Sequence, residues 1–412
     1  MPRRNMFVIS ALAGLSGAVI GTAQPQLVNL GVLPGRTSSE GNAINFAGTK
    51  VAGTSDLNYG FIWSVEDGMS EMVMNLGSPY GTPIRPTGMT SSGSTVVGSM
   101  RRSSWTRAFR YSSSNGFSDF LGTLFQTSPT FAMDISDDGR FILCSASQIP
   151  FVWDAQNPGY QPIPGPSNWG GTGEAISGDG SIVVGRAQSP QRAFRYESST
   201  GVVFLDVLPG TVTSRAQDIS ADGTTIVGSC EPPNGFPDEP DIIAFRWTQN
   251  SGIVDLGPIP AGYRGSHAET VSADGSAIGG YFSDANGSAR AMYWAESLGM
   301  VDLNDYLPSV GVDLNGWTLR LVNAISGDGT AVTGFGNLEG QPGGAFLITG
   351  LPGNTPSCPA DVTGDDAVNL ADLNLVLANF GQTTSDGDTN NDGVVNLADL
   401  NAVLGAFGTD CP

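Results

Sequence analysis

The sequence predicts an all-β, seven-bladed propeller, closed by its own N-terminal strand and followed by a small α-helical module. Three observations carry this. A ten-residue frame, clearest at 219–228 as Ile-Ser-Ala-Asp-Gly-Thr-Thr-Ile-Val-Gly, recurs at 44–53, 89–98, 135–144, 176–185, 271–280 and 325–334. Its turn glycines, Gly48, Gly93, Gly139, Gly180, Gly223, Gly275 and Gly329, are 45, 46, 41, 43, 52 and 54 residues apart, close to the period of four-stranded blades. The two ends of the array are complementary, one holding a strand that the other lacks. The last 55 residues follow a different pattern, repeated with an offset of 27 residues.

Each repeat reads as four strands. Strand a ends at an apolar-Ser pair such as Ile176-Ser177. A tight turn follows, as in Gly178-Asp179-Gly180, where Asp caps and Gly takes positive φ. Strand b is a Val/Ile pair closed by Gly, such as Val183-Val184-Gly185. Strand c carries Ala-Phe-x-aromatic tags at 108–111, 193–196 and 244–247, with variants at 60–63, 150–153 and 291–294. Strand d is an apolar run, expected at 73–77, 117–122, 254–257 and 301–303.

The ends of the array decide between ring and solenoid. Residues 27–31, Leu-Val-Asn-Leu-Gly, form a d-strand with no a, b or c before it. Residues 345–348 form a c-strand with no convincing d after it. The N-terminal strand therefore completes the last blade and removes the open edge. An open β-solenoid would need no such displaced strand.

Composition suits a turn-rich β protein, with 57 Gly, 26 Pro, 40% hydrophobic and only 14% charged residues. The formal net charge of −21 disfavours nucleic acid and anionic membrane surfaces as partners. Arg3 and Arg4, an apolar core over 6–20 and Gly21-Thr22-Ala23 read as a secretory signal peptide over 1–23. The apolar run is short of the ~20 residues needed to span a bilayer, so cleavage before Gln24 is expected rather than anchoring. The chain is thus expected outside the cell or at its surface, with no membrane insertion after cleavage.

The repeat units over about residues 26–350 resemble bacterial extracellular HAF repeats. The run Leu30-Gly31-Val32-Leu33-Pro34-Gly35, its counterpart at 205–210 and the Ile-Ser-x-Asp-Gly cores carry the likeness. The resemblance implies secretion and a repeat fold, and no particular activity.

Residues 351–357 have linker composition. Beyond them, residues 388–399 read Asp-Thr-Asn-Asn-Asp-Gly-Val-Val-Asn-Leu-Ala-Asp. Oxygen ligands at loop positions 1, 3, 5, 7, 9 and 12 around a glycine at 6 are the pattern of an EF-hand calcium loop. The ligands expected are Asp388, Asn390, Asp392, the Val394 carbonyl, Asn396 and Asp399. The first copy offers Asp361, Thr363, Asp365, the Ala367 carbonyl, Asn369 and Asp372, but has Asp366 at position 6. Two Ca²⁺ sites are expected, the second stronger. After each loop, Leu373, Val376, Leu377 and Phe380, or Leu400, Val403, Leu404 and Phe407, give one apolar helix face, and Gly381 and Gly408 stop the helices. Cys358 and Cys411 flank the module and are expected to form a disulfide. The paired loop-helix units over about 358–412 resemble a type I dockerin. That resemblance implies a cohesin-like or cell-surface protein partner, met through Leu370-Ala371 and Leu397-Ala398 at loop positions 10 and 11; these are apolar here rather than hydroxyl-bearing.

Signals for catalysis are few. His267 is expected as a blade-edge surface residue. Asp138, Asp179, Asp222, Asp274 and Asp328 each precede a turn glycine and read as turn caps. The aromatics Trp63, Tyr111, Trp153, Tyr196, Trp247 and Trp294 read as inter-blade packing, and Arg110, Arg195 and Arg246 as surface or inter-blade pairing. Cys144 and Cys230 fall in blades three and five and are expected to remain unbridged. The expected function is a secreted non-catalytic platform for an extracellular polymer such as a glycan. The rival is a polysaccharide hydrolase or lyase with a carboxylate site in the funnel.

Overall fold

The computed structural model describes residues 24–72, 83–102, 105–118, 128–146, 149–159, 161–166, 169–233, 242–353, 360, 362–363, 367–382, 387, 389 and 394–408. The chain forms seven four-stranded antiparallel sheets, six of them continuous in sequence. The seventh is built from Trp317–Ile325, Val332–Leu338 and Gly344–Thr349, with Gln26–Gly31 as its outer strand. Leu27 pairs with Ile348 and Asn29 with Phe346. The orphan N-terminal d-strand thus closes a seven-bladed propeller. Leu30 and Leu33 are buried beside Phe61, Trp63 and Leu347, so the first and last blades share one core.

The innermost strands are Ser39–Ile44, Ile84–Met89, Thr130–Ile135, Thr172–Ile176, Thr213–Ile219, Gly265–Val271 and Trp317–Ile325. At the end of each, a turn is held by its own side chains. In blade 5 the Ser220 hydroxyl donates to Asp222 and accepts from Thr225 N, while Asp222 accepts from Thr224 N. Gly223 supplies the positive φ of 73° that an L side chain resists. Asp138, Asp179, Asp274 and Asp328 repeat this arrangement, so all five are turn caps.

These turns are tied into a backbone girdle around the central axis. Phe46 N donates to Ser91 O, Ser91 N to Asp137 O, Asp137 N to Gly178 O, and Gly178 N to Ala221 O, at 2.9–3.3 Å. Asp222 N then donates to Ala273 O, Ala273 N to Gly327 O, and Gly327 N to Phe46 O, at 2.9–3.2 Å. Seven links return to their starting residue, satisfying groups at the inner edge that pairing within the blades leaves over.

Several boundaries differ from expectation. The glycine that was to close strand b lies inside it. Gly98, for example, sits within Thr95–Arg102, and Gly185 within Ile182–Gln188. Strand d begins earlier than the apolar runs suggest, at Gly68–Glu71, Gly116–Ser118, Gly252–Asp255 and Gly299–Asp302. Residues 73–77 lie outside the described residues. Leu303 leaves the sixth d-strand to start helix α1 (Leu303–Ser309), capped by Asp302 and buried through Leu303 and Leu307.

Helices α2 (Leu370–Ala378) and α3 (Leu397–Gly405) follow the propeller. Gly381 N donates to Val395 O, and Gly408 N to Val368 O, so each copy ties its end to the other. The expected apolar face is only partly buried. Val376 and Val403 are enclosed, whereas Leu377, Phe380, Leu404 and Phe407 are about half exposed. The reason is that Val368, Val395 and Ala360, from outside the helices, fill the small core between them.

Candidate functional site

The site begins with an irregularity that every blade repeats. Each innermost strand carries a β-bulge, between Gly41 and Ala43, Pro86 and Gly88, Ala132 and Asp134, Gly173 and Ala175, Ala216 and Asp218, Ala268 and Thr270, and Val322 and Ala324. The extra residue is unpaired and its side chain is re-aimed. The extra residues are Asn42, Thr87, Met133, Glu174, Gln217, Glu269 and Asn323. All seven line one cavity of about 230 Å³ on the propeller axis, bordered at its other side by the girdle residues.

The buried glycine of strand b makes this geometry permissible. At Gly53, Gly98, Gly185, Gly228, Gly280 and Gly334, an added Cβ would collide with a carbonyl oxygen of the bulged strand beside it. In blade 5 that oxygen belongs to Arg215. Blade 3 is the exception: Cys144 occupies the position opposite Ala132. Cys144 and Cys230 are both buried, and neither is bridged among the described residues.

The channel is chemically uneven. Glu174 lies 3.5 Å from Arg186, and burial pushes its carboxyl up to about 7 against the opposing pull of that guanidinium. Glu269 is raised as well, by burial, with the Gln217 amide donating to it at 2.9 Å and Arg215 acting against the shift. Across the axis, Asn323 donates to Glu40 and to Gly41 O.

Two further carboxyls are structural staples between blades. Asp134 accepts from Ile135 N at 2.8 Å and from Ile176 N of the next blade at 3.0 Å. Asp218 does the same with Ile219 N and Val271 N. Burial raises Asp134 to about 8 and Asp218 to about 6. A carboxyl whose folded pKa exceeds its unfolded value near 4 stabilises the fold fully below pH 4. That contribution is lost as pH rises toward 8. Asp134→Asn is therefore expected to narrow its stability deficit relative to the parent by roughly 2 kcal/mol or more between pH 4 and pH 8. Urea unfolding at each pH measures this, and a constant difference would refute it.

His267 departs from expectation. It is 6% exposed and stacked on Tyr281 at 4.1 Å, and its Nδ1 has no hydrogen-bond partner among the described residues. Strand a is the innermost strand, so the position read as a blade edge is interior. Burial, with Arg215 nearby, lowers its pKa to about 4 and keeps it neutral near pH 7. The recurrent aromatics pack as expected: Trp63 and Trp153 are buried, and Tyr111, Tyr196, Trp247 and Trp294 lie against the inter-blade cores. Arg195 pairs with Glu197 and Arg246 bonds Thr225, both within one blade rather than between blades.

Of the expected calcium ligands, Asp361, Asp365, Asp388, Asn390 and Asp392 lie outside the described residues, as do Cys358 and Cys411. The remainder converge in each copy. Asp372 accepts from Thr363 N and Oγ1 and from Asn369 N, while Asn369 Nδ2 donates to Ala367 O. Asp399 accepts from Thr389 N and Oγ1 and from Asn396 N, while Asn396 Nδ2 donates to Val394 O. Both carboxyls are fully buried. Burial raises the Asp372 pKa, but the bonds from Asn369 and Thr363 outweigh it and hold the group below the usual carboxylate range. Carboxylate, amide and carbonyl groups are the chemistry a hard cation takes, but the two amide oxygens here accept from Ala371 N and Ala398 N, and it is the amide nitrogens that face the Ala367 and Val394 carbonyls. Asn369 and Asn396 also cap their helices.

No family model and no curated protein matches the chain. Among solved structures it is similar to the β-propeller domain of Myceliophteria thermophila Cps50 (Swd1), at 11% identity and TM-score 0.48, over 78% of this chain and 99% of that one. It is also similar to TolB from Acinetobacter baumannii, at 16% and 0.42, over 64% and 62%. A putative TolB from Agrobacterium tumefaciens is similar at 12% and 0.41, over 57% and 87%.

Proposed function

We propose that the protein is a secreted, non-catalytic platform: a propeller that binds an extracellular polymer, carried with a calcium-dependent, dockerin-like module that docks to a cohesin-like or cell-surface protein. The observation that carries the docking half is a duplicated apolar surface. Leu370, Leu377 and Phe380 in one copy, and Leu397, Leu404 and Phe407 in the other, are 46–63% exposed at positions 27 residues apart. Paired apolar exposure of this kind marks an interaction surface. The signal-like N-terminus supports secretion, and the oxidising compartment it implies supports a Cys358–Cys411 disulfide.

Calcium would be held by Asp361, Thr363, Asp365, Ala367 O, Asn369 and Asp372 in the first loop, and by Asp388, Asn390, Asp392, Val394 O, Asn396 and Asp399 in the second. When bound it supplies the positive charge that lets clustered carboxylates share a small fold. The helix pair buries few apolar side chains, and units of this size need a metal or crosslink. Asp399→Ala is expected to abolish high-affinity calcium uptake, and Asp372→Ala to weaken only the poorer site. Calorimetric titration of the full chain checks this; two equal-affinity sites in the parent would refute the ranking.

A glycan array run beside a polysaccharide-release assay tests the platform. Retention of a polymer without release supports it. A second reading is favoured by one observation, the Glu174 carboxyl held near neutrality in the channel beside Glu269. Reducing-end release that disappears in Glu174→Gln would replace the platform with a glycoside-cleaving enzyme.

A further inference from the structure

We infer that the axial cavity is a binding site for a single neutral sugar unit, gripped by the ring of bulge residues. The inference rests on the platform reading and names the subsite at which the polymer is held.

Size comes first. The cavity is about 230 Å³, below the ~300–1,000 Å³ of sites for drug-sized molecules, so its occupant is small. Chemistry comes second. Asn42 and Gln217 bring amides that can donate and accept, one Gln217 N–H being spent on Glu269, while Asn323, whose amide nitrogen serves Glu40 and Gly41 O, and Thr87, whose hydroxyl serves Ala132 O, offer oxygen lone pairs. The apolar residue that follows each bulge by two positions, as at Ile44, Ile176 and Ile219, also lines the cavity. Two stacked rings result, one hydrogen-bonding at every position but Met133 and one apolar. A pyranose has the same division, with hydroxyls at its edge and C–H groups on its faces.

Charge comes third. An anion is disfavoured by Glu174, Glu269, Asp134 and Asp218. A cation gains little, because these carboxyls are already engaged. Glu174 faces Arg186, Glu269 accepts from Gln217 with Arg215 nearby, and each Asp accepts two backbone N–H groups. Burial also moves all four toward the neutral form. A neutral, hydroxyl-rich ligand matches what remains.

The test is isothermal titration of the full chain at pH 7 with glucose, galactose, mannose and xylose, their β-linked disaccharides, and putrescine as the cationic probe. Two variants accompany it. Thr87→Trp fills the cavity from an exposed bulge position, and Gln217→Ala removes one amide. Circular dichroism melting confirms that each variant is folded. At least one saccharide is expected to bind, at least tenfold more weakly to Gln217→Ala and undetectably to Thr87→Trp. Saccharide binding that neither variant alters would overturn the inference. So would putrescine binding without saccharide binding, or no binding at all. Retention of whole polysaccharide, measured in parallel, separates the two levels. If the polymer is retained equally by parent and variants, the channel subsite fails and the platform stands. If no polymer is retained by the parent, both fail.

Discussion

Deleting residues 24–33 is expected to unfold the whole propeller rather than fray one blade. The deletion removes Gln26–Gly31, the outer strand of blade 7, and leaves Gly344–Thr349 with an unpaired edge. It also removes Leu30 and Leu33, buried at 5% and 3% exposure where the first and last blades meet. Burying a leucine is worth about 1.5–3 kcal/mol, so the two together approach the 5–15 kcal/mol that holds a typical domain folded. The loss also falls on the seam of a ring. Blade 1 and blade 7 are joined there by the side chains of this segment, by Ser39 Oγ accepting from Ala345 N and by the girdle bond from Gly327 to Phe46. A closed ring distributes such a break to all its blades, because each blade buries its two faces only against its neighbours. Scanning calorimetry of the truncated chain should show one transition, lowered by well over 10 °C, or none. A melting temperature equal to that of the parent would show that this strand does not hold the ring closed.

Gly228→Ala is expected to destabilise the propeller by about 3 kcal/mol or more, although it adds a single methyl group in the middle of a strand. The new Cβ would meet the Arg215 carbonyl oxygen, the Ala216 Cα and the Arg215 carbonyl carbon, all backbone atoms that no rotamer change can move aside. Relief requires flattening the bulge between Ala216 and Asp218. That would withdraw Gln217 from the channel and pull Asp218 off the Val271 amide, leaving a buried N–H unpaired at a further cost of about 1–3 kcal/mol. Equilibrium urea unfolding reads the total. Cys144→Ala is the matched comparison, because blade 3 already accepts a Cβ at this register. It should change stability by no more than about 1.5 kcal/mol. Equal costs for the two substitutions would show that the glycine does not serve the bulge.

The comparison between the two strand-b positions also shows how far the site was legible in the sequence. The glycine was visible in six of seven frames, and it read as the end of a strand. A glycine inside a β-branched run has a second meaning, close approach of another backbone, and only the paired strand reveals which applies. The bulge residues were visible too, two positions before the apolar residue of each frame. They vary from Asn to Met to Glu, so no residue type marks them as a set. The five aspartates that do form a set are spent on turns. His267 was misread for a related reason. Its position along the strand was clear, but whether that strand lies at the rim or at the axis depends on the order of strands in the sheet.

The sequence by itself determined the number of blades, the strand that closes them, the turn chemistry and the duplicated loop-helix pattern. Each of these depends on residues close together in the chain, or on a count of repeats and the mismatch at their ends. A glycine at a fixed offset, a serine beside an aspartate and an apolar alternation of period two are local rules that survive without coordinates. The tertiary structure decided what faces the axis. It aimed seven dissimilar side chains into one cavity, tied Asp134 and Asp218 to neighbouring blades, enclosed His267 and left Leu377, Phe380, Leu404 and Phe407 partly uncovered. Those outcomes depend on where one blade or helix meets another. A side chain's surroundings there are set by residues separated along the chain, by 42 and 53 positions for the two Asp staples, 27 between the helices and 14 for His267 and Tyr281, and their register against each other arises only when those elements pack.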